Sequence, residues 1–298
     1  MTISRRSFGL AAGLLAAAGA LGPLSAGPAG AATNRPRGTG LPAEKATPVA
    51  QWRLDTASGS PAVTPDDWQD HLDARLGGGA TIDPAGGLLP VPGSLVLDGV
   101  AAHAEAPVAV DVTGSFSLAL WASPVAEPSR DMTVLALTGR RGSALTLRWK
   151  HEGAPGTPSP IDRWEVEIRD SDRPDATRSV APHTPAFPYG PELRWDHLAV
   201  VYDADAGELR LYVNGAPENQ QCAPGDESCV PHVSTVPSVR PFPKVDALQF
   251  GRSLTDREWT DHFAGELDAV WLYRGALTES QVAQLADPNM VYEHPYAP

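Results

Sequence analysis

Two alternating apolar runs joined by a polar turn constrain this chain more than any other stretch of it. Residues 193–215 read Leu-Arg-Trp-Asp-His-Leu-Ala-Val-Val-Tyr, then Asp-Ala-Asp-Ala-Gly, then Glu-Leu-Arg-Leu-Tyr-Val-Asn-Gly. Period-two alternation on both sides of a glycine-bearing turn predicts an antiparallel hairpin. Leu198, Val200 and Tyr202 then share one face of the first strand, and Leu209, Leu211 and Val213 one face of the second. A lone hairpin is marginal in water, so this apolar face needs further strands to bury it.

The rest of the chain supplies them. Residues 49–54 open the set, with Trp52 as a core anchor, and 56–79 read as a loop pinned by Trp68 and Leu72. Short strands are expected at 94–97, 116–122, 133–138, 144–149, 164–169, 247–251 and 265–274, with 139–142 as a hairpin turn. In 164–169, Trp164, Val166 and Ile168 alternate with Glu165, Glu167 and Arg169, which gives that strand a solvated face. Thr278-Glu279-Ser280-Gln281 is a capping box, and Val282, Leu285 and Ala286 form a short apolar stripe behind it. Many short strands with Gly/Pro turns and one terminal helix predict an all-β sandwich of two antiparallel sheets. The 30 prolines belong in its loops and on its edges.

Three segments are expected. Residues 1–32 form an export signal: Arg5-Arg6 is a twin-arginine pair, 9–24 an apolar stretch, and Ala29-Gly30-Ala31 a cleavage site. Residues 33–48, rich in Pro, Arg, Gly and Thr, form a disordered leader. Residues 49–298 form the folded domain. The expected location is outside the cell, with no membrane attachment after cleavage. Losing Arg5 and Arg6 with the signal takes the formal charge from −13 to −15, which excludes general affinity for nucleic acid or anionic membranes. Cys222 and Cys229, the two cysteines, lie in a Pro/Gly/Asp-rich loop, and an oxidising compartment predicts a local disulfide between them.

Phe116-Ser-Leu-Ala-Leu-Trp121, Trp195-Asp-His-Leu-Ala-Val-Val-Tyr202, Leu209-Arg-Leu-Tyr-Val-Asn-Gly215, Leu248-Gln-Phe-Gly251 and the run from Phe263 to Leu277 follow one another in a recognisable order. From about residue 49 to 285 the chain resembles the laminin-G-like jelly roll of the concanavalin A-like lectin/glucanase superfamily. The resemblance implies a jelly-roll sandwich of two curved sheets, sugar or protein ligands, and often a structural calcium. It does not fix an activity.

Asp268 is expected to share a strand face with Val270 and Leu272, and a buried carboxylate there needs a cation or good donors. The resemblance places a calcium ligand in that strand and an early partner near Asp98, with backbone carbonyls completing the shell. The alternative is an aspartate held by backbone N–H groups or an arginine. Asp203 and Asp205 suit calcium too, but a polar hairpin tip explains them equally. Residues 252–262 gather Arg252, Asp256, Trp259, Asp261 and His262, a mixture of aromatic and hydrogen-bonding groups that suits a sugar.

No catalytic residue is assigned. Related glucanases need an E-x-D-x-x-E strand for their two carboxylates. The run Glu165-Val-Glu167-Ile-Arg-Asp170 lacks the central Asp and the last Glu. No Gly-x-Ser-x-Gly occurs, and Asp196-His197 has no evident nucleophile. His103 and Glu105 are close in sequence, which alone is poor evidence of chemistry. The expected function is a secreted, non-catalytic, lectin-like domain that binds carbohydrate or another extracellular partner. The alternatives are a polysaccharide hydrolase or lyase, and an adhesive module without a sugar site.

Overall fold

The central hairpin forms in the predicted register. In a computed structural model, Asp196–Asp203 pairs with Glu208–Val213 so that Leu198, Val200 and Tyr202 oppose Val213, Leu211 and Leu209. The structure describes residues 45–68, 71–88, 92–108, 110–124, 128–154, 162–183, 195–220, 223, 232–242 and 244–290. Cys222 and Cys229 lie outside the described residues.

The hairpin sits in a sheet of nine described strands. Outward from the hairpin come Phe116–Pro124, Ala264–Arg274, Ser94–Asp98 and Thr81–Asp83, and the opening strand Thr47–Trp52 also pairs with Ala264–Arg274. The opening strand therefore starts two residues earlier than expected. A second sheet of eight described strands runs Arg178–His183, Arg163–Arg169, Ser143–Lys150, Met132–Thr138, Ala247–Phe250, His103–Pro107, Ala74–Gly77 and Val63–Thr64. Every strand pairing is antiparallel.

One core fills the space between the sheets. Leu118, Leu120, Val200, Leu211 and Leu267 come from the first sheet, and Leu135, Leu147, Val166, Leu248 and Phe250 from the second. Each such side chain contributes roughly 1.5–3 kcal/mol by leaving water. Trp52 bridges the sheets: its ring meets Phe250 edge-on at 5.3 Å, and its Nε1 donates to the Leu72 carbonyl at 2.8 Å.

The two outward faces differ, and the difference positions the site. On the nine-stranded sheet, Trp271, Tyr273, Tyr212, Ala199 and Val201 form an apolar patch. The helix Glu279–Leu285 closes it with Val282 and Leu285. Its capping box is present as read: Gln281 N–H donates to Thr278 Oγ1, and Gln281 Oε1 accepts the Thr278 N–H at 2.9 Å. The outward face of the eight-stranded sheet is instead built of Arg, Glu, Gln and Thr. Four of its strands were not expected from sequence: Val63–Thr64 and Ala74–Gly77 fall within 56–79, which read as a loop, His103–Pro107 carries too little apolar signal, and Arg178–His183 contains Pro182, tolerated there because the strand is at the sheet edge.

Candidate functional site on the polar face of the eight-stranded sheet

Strand register assembles the site. Residues paired across antiparallel strands point to the same side. Glu105 opposes Gln249, Gln249 opposes Ala136, Ala136 opposes Thr146, and Thr146 opposes Glu167, so these side chains form one row across five strands. A neighbouring row runs through Thr133, Arg148 and Glu165.

The carboxylates on the middle strands of this face are buried and ion-paired. Glu165 and Glu167 are only 3% and 4% exposed, so the sequence-based expectation of a solvated face is corrected: the alternation is right, but arginines cover the carboxylates. Arg148 Nε donates to Glu165 Oε1 at 2.9 Å, and its Nη2 reaches Glu167 Oε2 at 3.3 Å. Arg163 bridges Glu152 at 2.9 Å and Glu165 at 3.3 Å, and Arg169 Nε donates to Glu167 Oε1 at 3.0 Å. Lys150 pairs with Asp131 at 2.8 Å. A carboxylate buried this deeply is stable in charged form only because such partners surround it.

A small hairpin lies over this face. Ser253–Thr255 pairs with Glu258–Thr260 through a two-residue turn in which Asp256 (φ 47°) and Arg257 (φ 72°) both take left-handed conformations, as a type I′ turn requires. Ser143 Oγ accepts the Leu254 N–H at 2.9 Å, and the Thr133 N–H donates to the Asp261 carbonyl at 2.7 Å, so the hairpin is tied to two strands beneath it. At its base Arg252 is 7% exposed, with its guanidinium 3.6 Å from the centroid of the Trp259 ring. Arg252 Nε donates to Gln249 Oε1 at 2.9 Å, and Gln249 Nε2 donates to Glu105 Oε2 at 2.8 Å. Burial pulls the Arg252 pKa down to about 10, with Glu105 opposing. Trp259 is 40% exposed, so Arg252 covers part of the ring and the remainder meets solvent. Beyond Glu105 the face opens into a cleft of about 490 Å³ lined by Asp73, Arg75, Glu105 and Asp246.

Of the four expected ligand contacts, three gather here. Arg252 and Trp259 stack, and Asp261 accepts from Ser253 Oγ at 3.3 Å. Burial raises the Asp261 pKa, Asp131 raises it further, and Arg148 and Lys150 pull it back, which ties Asp261 to the arginine row. Asp256 sits apart at the hairpin tip, near Arg141 and Asp172. Burial chiefly, and Arg252 secondarily, lower the His262 pKa. Sequence reasoning missed Arg148 and Gln249. The signal for Arg148 was cross-strand complementarity, an Arg-x-Lys run facing a Glu-x-Glu run.

The expected calcium pair does not assemble. Asp98 opposes Ala264 in the register, which places Asp268 four residues further on, about 13 Å away. Asp98 Oδ1 already accepts the N–H groups of Val100, Ala101 and Ala102, which lower its pKa to about 2. Asp268 does not share a face with Val270 and Leu272. The register slips between Asp268 and Trp271, with Ala269 at φ 48°, and this bulge turns Asp268 to the outward side beside Trp121. There it is 0% exposed, and its Oδ2 accepts the Leu88 N–H at 3.0 Å. Gly87 (φ 88°) permits that contact, because a Cβ on it would lie 2.9 Å from Asp268 Oδ2. The Leu88 N–H thus meets one oxygen of this buried carboxylate, in line with the alternative of an aspartate held by backbone N–H groups. Asp203 Oδ1 accepts the Asp205 and Ala206 N–H groups at 3.1 Å, which makes that pair a hairpin tip.

Glu266 and Asp268, on one face by ordinary alternation, fill the first two positions of E-x-D-x-x-E, and Trp271, which the bulge brings to that face, stands at the third. Asp268 is sealed, and Glu266 is bonded by Ser94 Oγ at 2.7 Å. Asp196 and His197 are scaffold. Asp196 accepts from Trp164 Nε1 and Asn214 Nδ2, both at 2.9 Å, and burial drops the His197 pKa to about 3.

Three comparisons bear on this architecture. A laminin G family model described as the concanavalin A-like lectin/glucanases superfamily matches residues 98–283. No curated protein matches the chain. Among solved structures, domain 4 of a GH43 extracellular arabinanase from Geobacillus stearothermophilus, in complex with arabinotriose, superposes with TM-score 0.51 at 18% identity, over 82% of this chain and 100% of that one. The botulinum neurotoxin serotype G binding domain gives TM-score 0.53 at 10% identity over 80% of this chain, which spans 50% of its length. Trypanosoma rangeli sialidase in complex with sialic acid gives 0.51 at 16% identity, over 82% of this chain and 33% of that one. At these identities the likeness is one of fold.

Proposed function

This chain belongs to the concanavalin A-like lectin/glucanases superfamily, and from that membership we propose that it is an exported carbohydrate-binding domain whose ligand contacts Trp259 and the polar face around Arg252 and Arg148. The observation that carries the reading is the exposed half of Trp259, fixed over a buried Arg252 beside a sheet face of hydrogen-bonding side chains. A sugar ring presents an apolar face to an aromatic and hydroxyls to planar polar groups, and both are available within this one region. Arabinotriose in the arabinanase domain and sialic acid in the sialidase lend support by fold analogy alone. The twin-arginine segment supports export to a compartment where polysaccharide is met.

Binding is the reading favoured over hydrolysis, because both oxygens of Glu165 and of Glu167 are engaged by arginines. An acid or base catalyst needs an oxygen free to reach the glycosidic bond, and neither carboxylate offers one. The test is an oligosaccharide array with the wild-type protein and Trp259→Ala, each with and without chelator. Wild type is expected to bind, Trp259→Ala to lose about tenfold or more in affinity at an unchanged melting temperature, and chelation to change nothing. A blank array for wild type under both conditions overturns the reading.

A further inference from the structure

The charge pattern of the polar face carries the carbohydrate reading one step further, to the class of sugar. Resting on that reading, we propose that the site selects uncharged polysaccharide and rejects uronate, sulfated and amino-sugar chains. Among the described residues, six ion-paired cations occupy the face: Arg148, Lys150, Arg163, Arg169, Arg178 and Arg252. Against them stand six carboxylates, those of Asp131, Glu152, Glu165, Glu167, Glu105 and Asp261. The region is balanced, in a chain whose formal charge is −13.

Among the described residues, each cation on the central strands of the face already has a carboxylate partner, and Arg75, beyond Glu105, stands among Asp73, Glu105 and Asp246. To take the guanidinium of Arg148 an acidic sugar must displace Glu165 or Glu167, and either would then be left buried without its partner. Arg252 is committed in the same way: its Nε bonds Gln249, its Nη2 faces Glu105, and its plane lies on Trp259. The adjoining cleft holds Asp73, Glu105 and Asp246 against Arg75, which repels an anion further. An amino sugar stacking on Trp259 meets the opposite obstacle, since its ammonium comes against the Arg252 guanidinium.

Neutral hydroxyls disturb none of these pairs. Paired guanidinium and carboxylate groups still offer peripheral N–H donors and lone pairs to a sugar. Thr146 Oγ1, in the row between Gln249 and Glu167, and Thr133 Oγ1, in the row with Arg148, are buried with no partner, so two uncharged hydroxyls just beneath the face are unused.

The experiment is isothermal titration of the purified protein with xylohexaose, cellohexaose and arabinohexaose, against oligogalacturonate, a heparin hexasaccharide and a chitosan hexamer. At least one neutral probe is expected to bind, and to change by less than about twofold between low and high salt. Charged probes are expected to bind at least about tenfold more weakly. Tighter binding of a charged probe overturns the selectivity and leaves the carbohydrate reading standing. No binding by any probe overturns both. Glu167→Gln removes the shared partner of Arg148 and Arg169, and is expected to gain about threefold or more in affinity for oligogalacturonate. If that variant melts early, Glu105→Gln makes the same test at Arg252, where the carboxylate is half exposed. No gain in a folded variant overturns the charge-pair argument.

Discussion

His151 holds both of its ring nitrogens against acceptors: Nδ1 is 2.9 Å from Asp162 Oδ2, and Nε2 is 3.2 Å from the Ala154 carbonyl. Its backbone N–H donates to Asp131, and the Glu152 N–H donates to the other oxygen of Asp162. Only the imidazolium donates from both nitrogens at once. The hydrogen bond to Asp162 therefore raises the His151 pKa above its ordinary value, burial opposes it, and Asp131 adds to the rise. A raised folded-state value means the contribution is complete below about pH 6.5 and fades as pH climbs through the folded-state pKa. Wild type is expected to lose stability across that range, and His151→Ala to show a flatter curve. Melting temperatures from pH 5.5 to 9 check this, and parallel curves would refute it. At this scale the sequence was legible where a residue obeys its strand and illegible where the strand breaks its own rule. Glu165 and Glu167 sit on the face that alternation assigned. Asp268 does not, because the slip at Ala269 reverses the sides of everything around it. A bulge built on alanine leaves no mark comparable to a glycine.

Elements with a local signature were the readable ones. The helix Glu279–Leu285 announces itself by a capping box, and the structure completes both of its hydrogen bonds. Its task is to seal Trp271, Tyr273 and Tyr212, so the cap acts on a patch contributed by several strands. Thr278→Ala is expected to cost about 1 kcal/mol, a fall of about 2–4 °C in melting temperature for a domain of this size. Thr278→Ser retains the acceptor and is expected to recover most of it. Equal losses in both variants, read by calorimetry, would show that the cap is idle. The hairpin Ser253–Thr255/Glu258–Thr260 is the opposite case. Its turn residues, Asp256 and Arg257, are not the Asn-Gly type that flags a type I′ turn, so residues 252–262 read only as a loop. The loop's composition singled out the candidate contacts as a group, but only the turn geometry shows that Asp256 is carried away from Arg252 and Trp259.

The whole molecule is closed by its first strand. Thr47–Trp52 pairs with Ala264–Arg274 along Thr47–Arg274 to Trp52–Val270, so residues more than two hundred positions apart complete the nine-stranded sheet. The pairing seats Ala50, Trp52 and Leu54 at 0% exposure, and Trp52 crosses to Phe250 in the other sheet. A chain that begins at Asp55 loses these side chains and bares the edge of the closing strand. Truncating one buried tryptophan of this kind costs about 3–5 kcal/mol, and stability for a whole domain is about 5–15 kcal/mol. The shortened chain is therefore expected to lose its cooperative thermal transition, and Trp52→Ala alone to lower the melting temperature by roughly 10 °C. Differential scanning calorimetry decides it: a sharp transition in the shortened chain would mean that the sandwich closes without its first strand. The same dependence bears on export through the twin-arginine route proposed above, which carries folded proteins. The strand that completes the fold begins fifteen residues after the expected cleavage position at residue 32, so processing there leaves the closing pair intact, whereas processing beyond Trp52 would remove it.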